Sequence, residues 1–88
     1  MDATKQGVEE IKETVKTYIL TEFLPGEDSR QLTDSTPLIT GGVLDSLATL
    51  KLASFLEEHF HIRLEAHELT TENLNDLNVI ADLVQSKL

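Results

Sequence analysis

Cysteine is absent from the chain. Disulfide stapling and thiolate metal sites are therefore excluded. A small domain without such staples depends on well-packed helices for its stability. Only 4 glycines and 2 prolines occur among 88 residues, which argues against a turn-rich all-β fold. Tryptophan is also missing, and the aromatic residues are Tyr18, Phe23, Phe55 and Phe60. The core must then be built mainly from leucine, isoleucine and valine. No apolar run approaches the roughly 20 residues that span a bilayer. The opening stretch MDATKQGVEE is polar and acidic, unlike a secretory signal, so the expectation is a cytoplasmic protein. Positive charge is scarce: 7 Lys and Arg stand against 16 Asp and Glu, a formal net charge of -9. That balance opposes nucleic acid and anionic membranes as partners, which reward positive charge. It favours partners with basic surfaces, and it also serves plain solubility.

What remains is a chain that is 40% hydrophobic, enough for one modest core, so residues 1–88 are expected to form a single domain ordered from about residue 8. Residues 1–6 are expected to fray. Val8, Ile11, Val15, Tyr18 and Ile19 recur at intervals of three and four, predicting a helix from about Val8 to Phe23, with Thr4 or Gly7 marking its start. On its polar face Glu9–Lys12 and Glu13–Lys16 are favourable pairs, each worth a few tenths of a kcal/mol. Pro25-Gly26 ends the helix. Residues 25–44 form a connection longer than usual. Leu32, Leu38, Ile39, Val43 and Leu44 can tie it to the helices, and residues 29–32 can form a short helical turn.

The stretch PLITGGVLDSLATLKLASFLEEHF, residues 37–60, organises the rest. Gly41 and Gly42 loosen the backbone before a second helix that begins at Asp45 or Ser46 and runs to His59. Asp45 can cap its first turn. Leu47, Leu50, Phe55 and Phe60, with Ala53 and Leu56, supply an inner face by periodicity. Lys51, Ser54 and Glu58 mark the wet face, with Glu57 at its edge. Residues 60–64 read as an extended connector with Ile62 and Leu64 inward. Thr70 or Thr71 caps a short helix through Leu74, with Leu69 and Leu74 over the core. Asp76 or Asn75 then caps a last helix carrying Leu77, Ile80, Ala81, Val84 and Leu88. The fold predicted is all-α: three substantial helices, one short helix and a long first loop.

Ser46 stands on the lip of a helix N-terminus, where free amides and the positive end of the dipole favour an anion such as a phosphate ester. Asp-Ser before an apolar helix is also a common start signal that only caps. Ser46, Asp45 and one of His59, His61 or His67 hold the letters of a hydrolase triad, but the second helix is about 20 Å long and puts His59 at its far end. A nucleophile needs its base alongside. The three histidines lack a recognisable zinc pattern, and neither a glycine-rich nucleotide loop nor an EF-hand pattern occurs.

The residues resemble the acyl carrier and peptidyl carrier protein family over nearly the whole chain. The motif is Asp45-Ser46-Leu47, followed at the right distance by Leu56-Glu57-Glu58-His59-Phe60-His61-Ile62, with His61 where the family usually has glycine. The resemblance implies a small four-helix bundle with a long first loop and a short third helix. It implies covalent attachment of 4′-phosphopantetheine, derived from coenzyme A, to Ser46, flanked by Asp45 and Leu47, in a non-catalytic, monomeric carrier without a metal. Implied partners are a phosphopantetheinyl transferase, an adenylating enzyme or acyltransferase that loads the arm, and a downstream synthase, oxidase or transferase. Docking is expected on Leu44, Leu47, Ala48, Lys51, Glu57 and Glu58. Fatty-acid carriers usually have acidic residues where this chain has Ala48 and Lys51, so partners of that branch should bind less well. GGVLDSL and ELTTENLNDL look more like free-standing carriers of polyketide, nonribosomal peptide or aminoacyl-transfer pathways, and the span from Met1 to Leu88 suggests a discrete carrier. The rivals are a fatty-acid carrier and an unmodified acidic helical adaptor.

Overall fold

A computed structural model describes residues 7–26, 30 and 32–88. It contains α1 (Val8–Phe23), α2 (Ser46–Phe60), a 3-10 turn (Ala66–Glu68), α3 (Thr71–Leu74) and α4 (Leu77–Lys87), with no strand among the described residues. This is the all-α, four-helix arrangement expected, with a long connection before α2 and a short third helix. The fraying expected of residues 1–6, and the alternative helix start at Thr4, lie outside the described residues, as do positions 29 and 31 of the turn expected at 29–32.

α1 starts after Gly7, whose side-chain-free cap leaves Ile11 N–H bonded to the Gly7 carbonyl at 3.0 Å. Ile11, Val15 and Ile19 recur every four residues and are fully buried. That stripe packs chiefly against α4, whose Leu77, Ile80, Ala81 and Val84 form the opposing face. Leu88, expected inside, is largely exposed, and Leu83 is buried instead. Leu32, Leu38 and Leu44 of the long connection are buried in the same core. The loop is therefore a packed layer rather than a free strap. Lys12 adds a polar tie: its ammonium reaches Glu9 at 3.4 Å and Asp34 at 3.1 Å. The Asp34 carbonyl in turn accepts the N–H of Leu77 at 3.1 Å and of Asn78 at 3.3 Å. One loop residue thus joins α1 to the start of α4.

The inward face of α2 differs from the one periodicity suggested. Ala48, Leu52, Ala53, Leu56 and Phe60 are buried, whereas Leu47 is 62% and Leu50 56% exposed. At about 100° per residue, 48, 52, 56 and 60 share one side and 47, 50, 51 and 54 share the opposite one. Apolar residues occur nearly all round this helix, so two phases fit the sequence; packing of the bundle selects the one with small alanines beside leucines. Phe55 stays at the edge, its ring stacked on Tyr18 at 4.0 Å between centroids, and Tyr18 donates to the Lys51 carbonyl at 3.3 Å. Burial, then the negative charge of Glu22, raises the Tyr18 pKa above its ordinary value.

α2 ends with His61 in the left-handed region, φ 57 and ψ 48. This is the only positive-φ residue other than glycine among the described residues, and the conformation explains why a glycine suits the position. Beyond it, Ile62 and Leu64 pack against the core as half-buried residues. The Glu57 carboxylate accepts the Leu64 N–H at 2.8 Å, fixing the connector to the helix it has just left.

Candidate functional site

Asp45 and Ser46 occupy the junction between the long connection and α2. Asp45 is extended (φ -88, ψ -171), and its carboxylate accepts the Ala48 N–H at 2.8 Å. That bond satisfies one of the orphan amides of the first turn. Its carbonyl accepts the Thr49 N–H at 2.9 Å and the Thr49 hydroxyl at 2.8 Å. With the cap supplied by Asp45, Ser46 is free of that duty. It is the first residue of α2, it is exposed, and its hydroxyl makes no hydrogen bond among the described residues.

The approach to this junction is shaped by two glycines. A Cβ on Gly41 would collide with the Pro37 carbonyl, and Gly42 has φ +86, so both positions exclude ordinary side chains. The segment is closed by Leu44 N–H bonding back to the Leu38 carbonyl at 2.8 Å and Gly42 N–H to the Ile39 carbonyl at 3.2 Å. These turns bury Leu44 and deliver Asp45 and Ser46 to the surface.

Beside Ser46 lies an open groove of about 540 Å³, lined by Ile39, Leu44, Asp45, Ser46, Thr49, Leu50, Leu69 and Thr71. Its far wall is the segment before α3. Glu68 holds that segment: its carboxylate accepts the Glu65 N–H at 2.9 Å and the Lys87 ammonium at 2.7 Å. Its carbonyl accepts from the Asn73 side chain at 3.0 Å. The Glu65 amide first, and Lys87 second, hold the Glu68 carboxyl below the ordinary glutamate range. On the other side of the helix, Phe23, Asp45, Leu47, Ala48 and Lys51 line a smaller hollow of about 180 Å³.

No known family model matches the chain, and no curated protein matches it significantly.

The sequence-derived candidates separate into two groups. Leu47 and Lys51 are exposed in the first turns of α2 near Ser46, and Glu58 is exposed near the far end of the helix. Leu44 is 2% and Ala48 8% exposed, so neither presents its side chain as docking surface; Leu44 serves as inner wall of the groove and Ala48 as a close contact of α2 with the core. Glu57 is half-buried and committed to Leu64. Leu50, assigned to the core by spacing, is instead an exposed neighbour of the groove. His59 lies at the other end of α2 from Ser46, its ring stacked on Phe55 at 5.2 Å. His59 is therefore not beside Ser46, and among the described residues no three of His, Asp and Glu gather as a metal set.

Proposed function

We propose that this chain is a carrier protein, modified at Ser46 by 4′-phosphopantetheine. It would hold acyl, aminoacyl or peptidyl groups for separate enzymes of a polyketide, nonribosomal peptide or aminoacyl-transfer pathway. The observation that carries the proposal is Ser46 itself. Its exposed and unbonded hydroxyl stands on the first turn of a capped helix, within the Asp45-Ser46-Leu47 motif, beside an open and partly apolar groove.

The residues suit the group chemically. A phosphodiester on the Ser46 oxygen would lie near the positive end of α2, where an anion is favoured, on a residue that is exposed. In the modification, catalysed by a transferase, Ser46 Oγ gives up its proton and forms the new bond to the pantetheine phosphorus of coenzyme A. The pyrophosphate bond breaks, and adenosine 3′,5′-bisphosphate leaves with the electron pair. When bound, the arm supplies a thiol on which cargo is held as a thioester. Its reach lets one carrier present cargo to successive active sites at high effective concentration.

This chain's own residues then provide recognition. Leu47, Leu50 and Lys51 are exposed on the outer face of α2, with Glu58 farther along. An enzyme docking there buries two exposed leucines next to the modified serine. Lys51 disfavours enzymes whose sockets are basic at that point.

Incubation with coenzyme A and a broad-specificity phosphopantetheinyl transferase, followed by intact-mass measurement, tests the proposal. One phosphopantetheine is expected on the native chain and none on Ser46→Ala. An unmodified native protein, or a modified Ser46→Ala variant, would overturn it.

A further inference from the structure

The segment that presents Ser46 is not held by its own turns alone. Asn75, between α3 and α4, bonds to three consecutive residues at its start. The Asn75 carbonyl accepts the Leu38 N–H at 2.6 Å. Its side-chain oxygen accepts the Ile39 N–H at 2.9 Å and the Thr40 N–H at 3.0 Å. Its side-chain nitrogen lies 3.3 Å from the Thr40 hydroxyl, to which it donates. From there the chain turns through Gly41 and Gly42 and closes where Leu44 N–H meets the Leu38 carbonyl at 2.8 Å. Asp45 and Ser46 follow directly.

We propose that Asn75 is the positioning residue for Ser46: its side-chain amide latches residues 39 and 40 to the α3–α4 junction, next to the bond its backbone carbonyl makes to Leu38, and thereby sets the place of the modified hydroxyl and the width of the groove beside it. The cap of α4 is supplied by Asp76, whose carboxylate accepts the Val79 N–H at 2.9 Å. Asn75 is therefore not needed as the cap, and its amide is committed across the fold. Two backbone donors on one oxygen use both acceptor directions of that atom. Between the buried anchors Leu38 and Leu44, the glycine pair at 41–42 adds backbone freedom that the Asn75 bonds restrict. Ile39, which Asn75 holds, and Leu44 line one wall of the groove, and Leu69 and Thr71 line the other, where the Asn75 N–H bonds to the Thr71 carbonyl at 3.0 Å. The latch thus spans the two sides of the groove.

The functional half of this inference rests on the carrier reading, so the test has two independent limbs. Asn75→Ala removes the acceptor. Asn75→Gln keeps the amide but displaces it by one methylene. Asn75→Asp keeps an acceptor oxygen for both backbone donors. Amide hydrogen exchange at Ile39 and Thr40, measured on the unmodified protein, is expected to accelerate about tenfold or more in the Ala and Gln variants, the loss of about one net hydrogen bond or more. Asn75→Asp is expected to restore native protection. In the second limb, kcat/KM for transfer from coenzyme A to Ser46 is expected to fall about tenfold in Ala and Gln and to recover in Asp, in step with exchange. A merely structural role would lower the urea midpoint without this rescue pattern. Should Asn75→Ala not fold, the Gln and Asp pair carries the same comparison. Native exchange at Ile39 and Thr40 in Asn75→Gln overturns the latch, and native transfer to Ser46 in a variant with rapid exchange overturns its positioning role. A native protein that is never modified overturns the carrier reading alone, and the exchange limb still decides the latch.

Discussion

Truncation of Leu52 and of Leu47 to alanine should have very different consequences, although both are leucines of α2. Leu52 is 0% exposed and Leu47 62% exposed. Removing a fully buried leucine side chain forfeits its transfer free energy and leaves a cavity, a loss of about 2–5 kcal/mol. Removing a mostly exposed one is expected to stay within about 0.5 kcal/mol. In a domain of this size each kcal/mol moves the midpoint by about 4–8 °C. Leu52→Ala should therefore melt at least about 10 °C below the native protein, and Leu47→Ala within a few degrees of it. Urea unfolding followed by circular dichroism, with the slope compared between variants, checks that the change is in stability and not in the unfolded state. A domain with a total stability of about 5–15 kcal/mol can lose its folded baseline in Leu52→Ala. Ile80→Val, at a buried position of α4 and about 0.5–1.5 kcal/mol, then supplies the milder core reference. If Leu47→Ala is as costly as the core variants, α2 is turned the other way, and Leu47 belongs inside as spacing alone suggests.

Three further outcomes are expected. His61→Gly should stabilise the fold by up to about 1 kcal/mol, because His61 occupies a left-handed conformation that penalises a Cβ; a lower urea midpoint would refute this. Asp45→Ala should lower stability by about 0.5–2 kcal/mol through loss of the bond to Ala48 N–H, and Asp45→Asn should recover most of it; equal losses in both would show that the cap is not the cause. The Glu68 carboxyl is held below the ordinary glutamate range, first by the Glu65 amide and then by Lys87. Its contribution is therefore fully present above that ordinary range. It is lost as the pH falls through that range and on through Glu68's lower folded value. The stability difference between the native protein and Glu68→Gln should shrink over that acid window, read from urea midpoints; a difference independent of pH would refute the role of the charged pair.

The class of the fold and the place of Ser46 at the start of α2 were legible in the residues alone. Ile11, Val15 and Ile19 at intervals of four, Pro25-Gly26 as a stop, and Asp45 as a cap are local signals, each set by interactions within about one turn of backbone. Local chemistry of that kind survives translation from a string of letters. The phase of α2 did not, because apolar residues at 47, 48, 50, 52, 53, 55 and 56 satisfy two opposite faces. It took the common core, with α1 packed against α2, to send Leu52 in and leave Leu47 out. The same holds for the docking candidates. Leu44 and Ala48 lie next to Ser46 in sequence, yet burial against distant residues removes their side chains from the surface. Asn75 shows the limit most plainly. Asparagine before aspartate reads as a choice between two caps, and the partners that distinguish them, Ile39 and Thr40, stand more than thirty positions away. A hydrogen bond across that separation exists only once the hydrophobic core has brought the loop and the α3–α4 junction together.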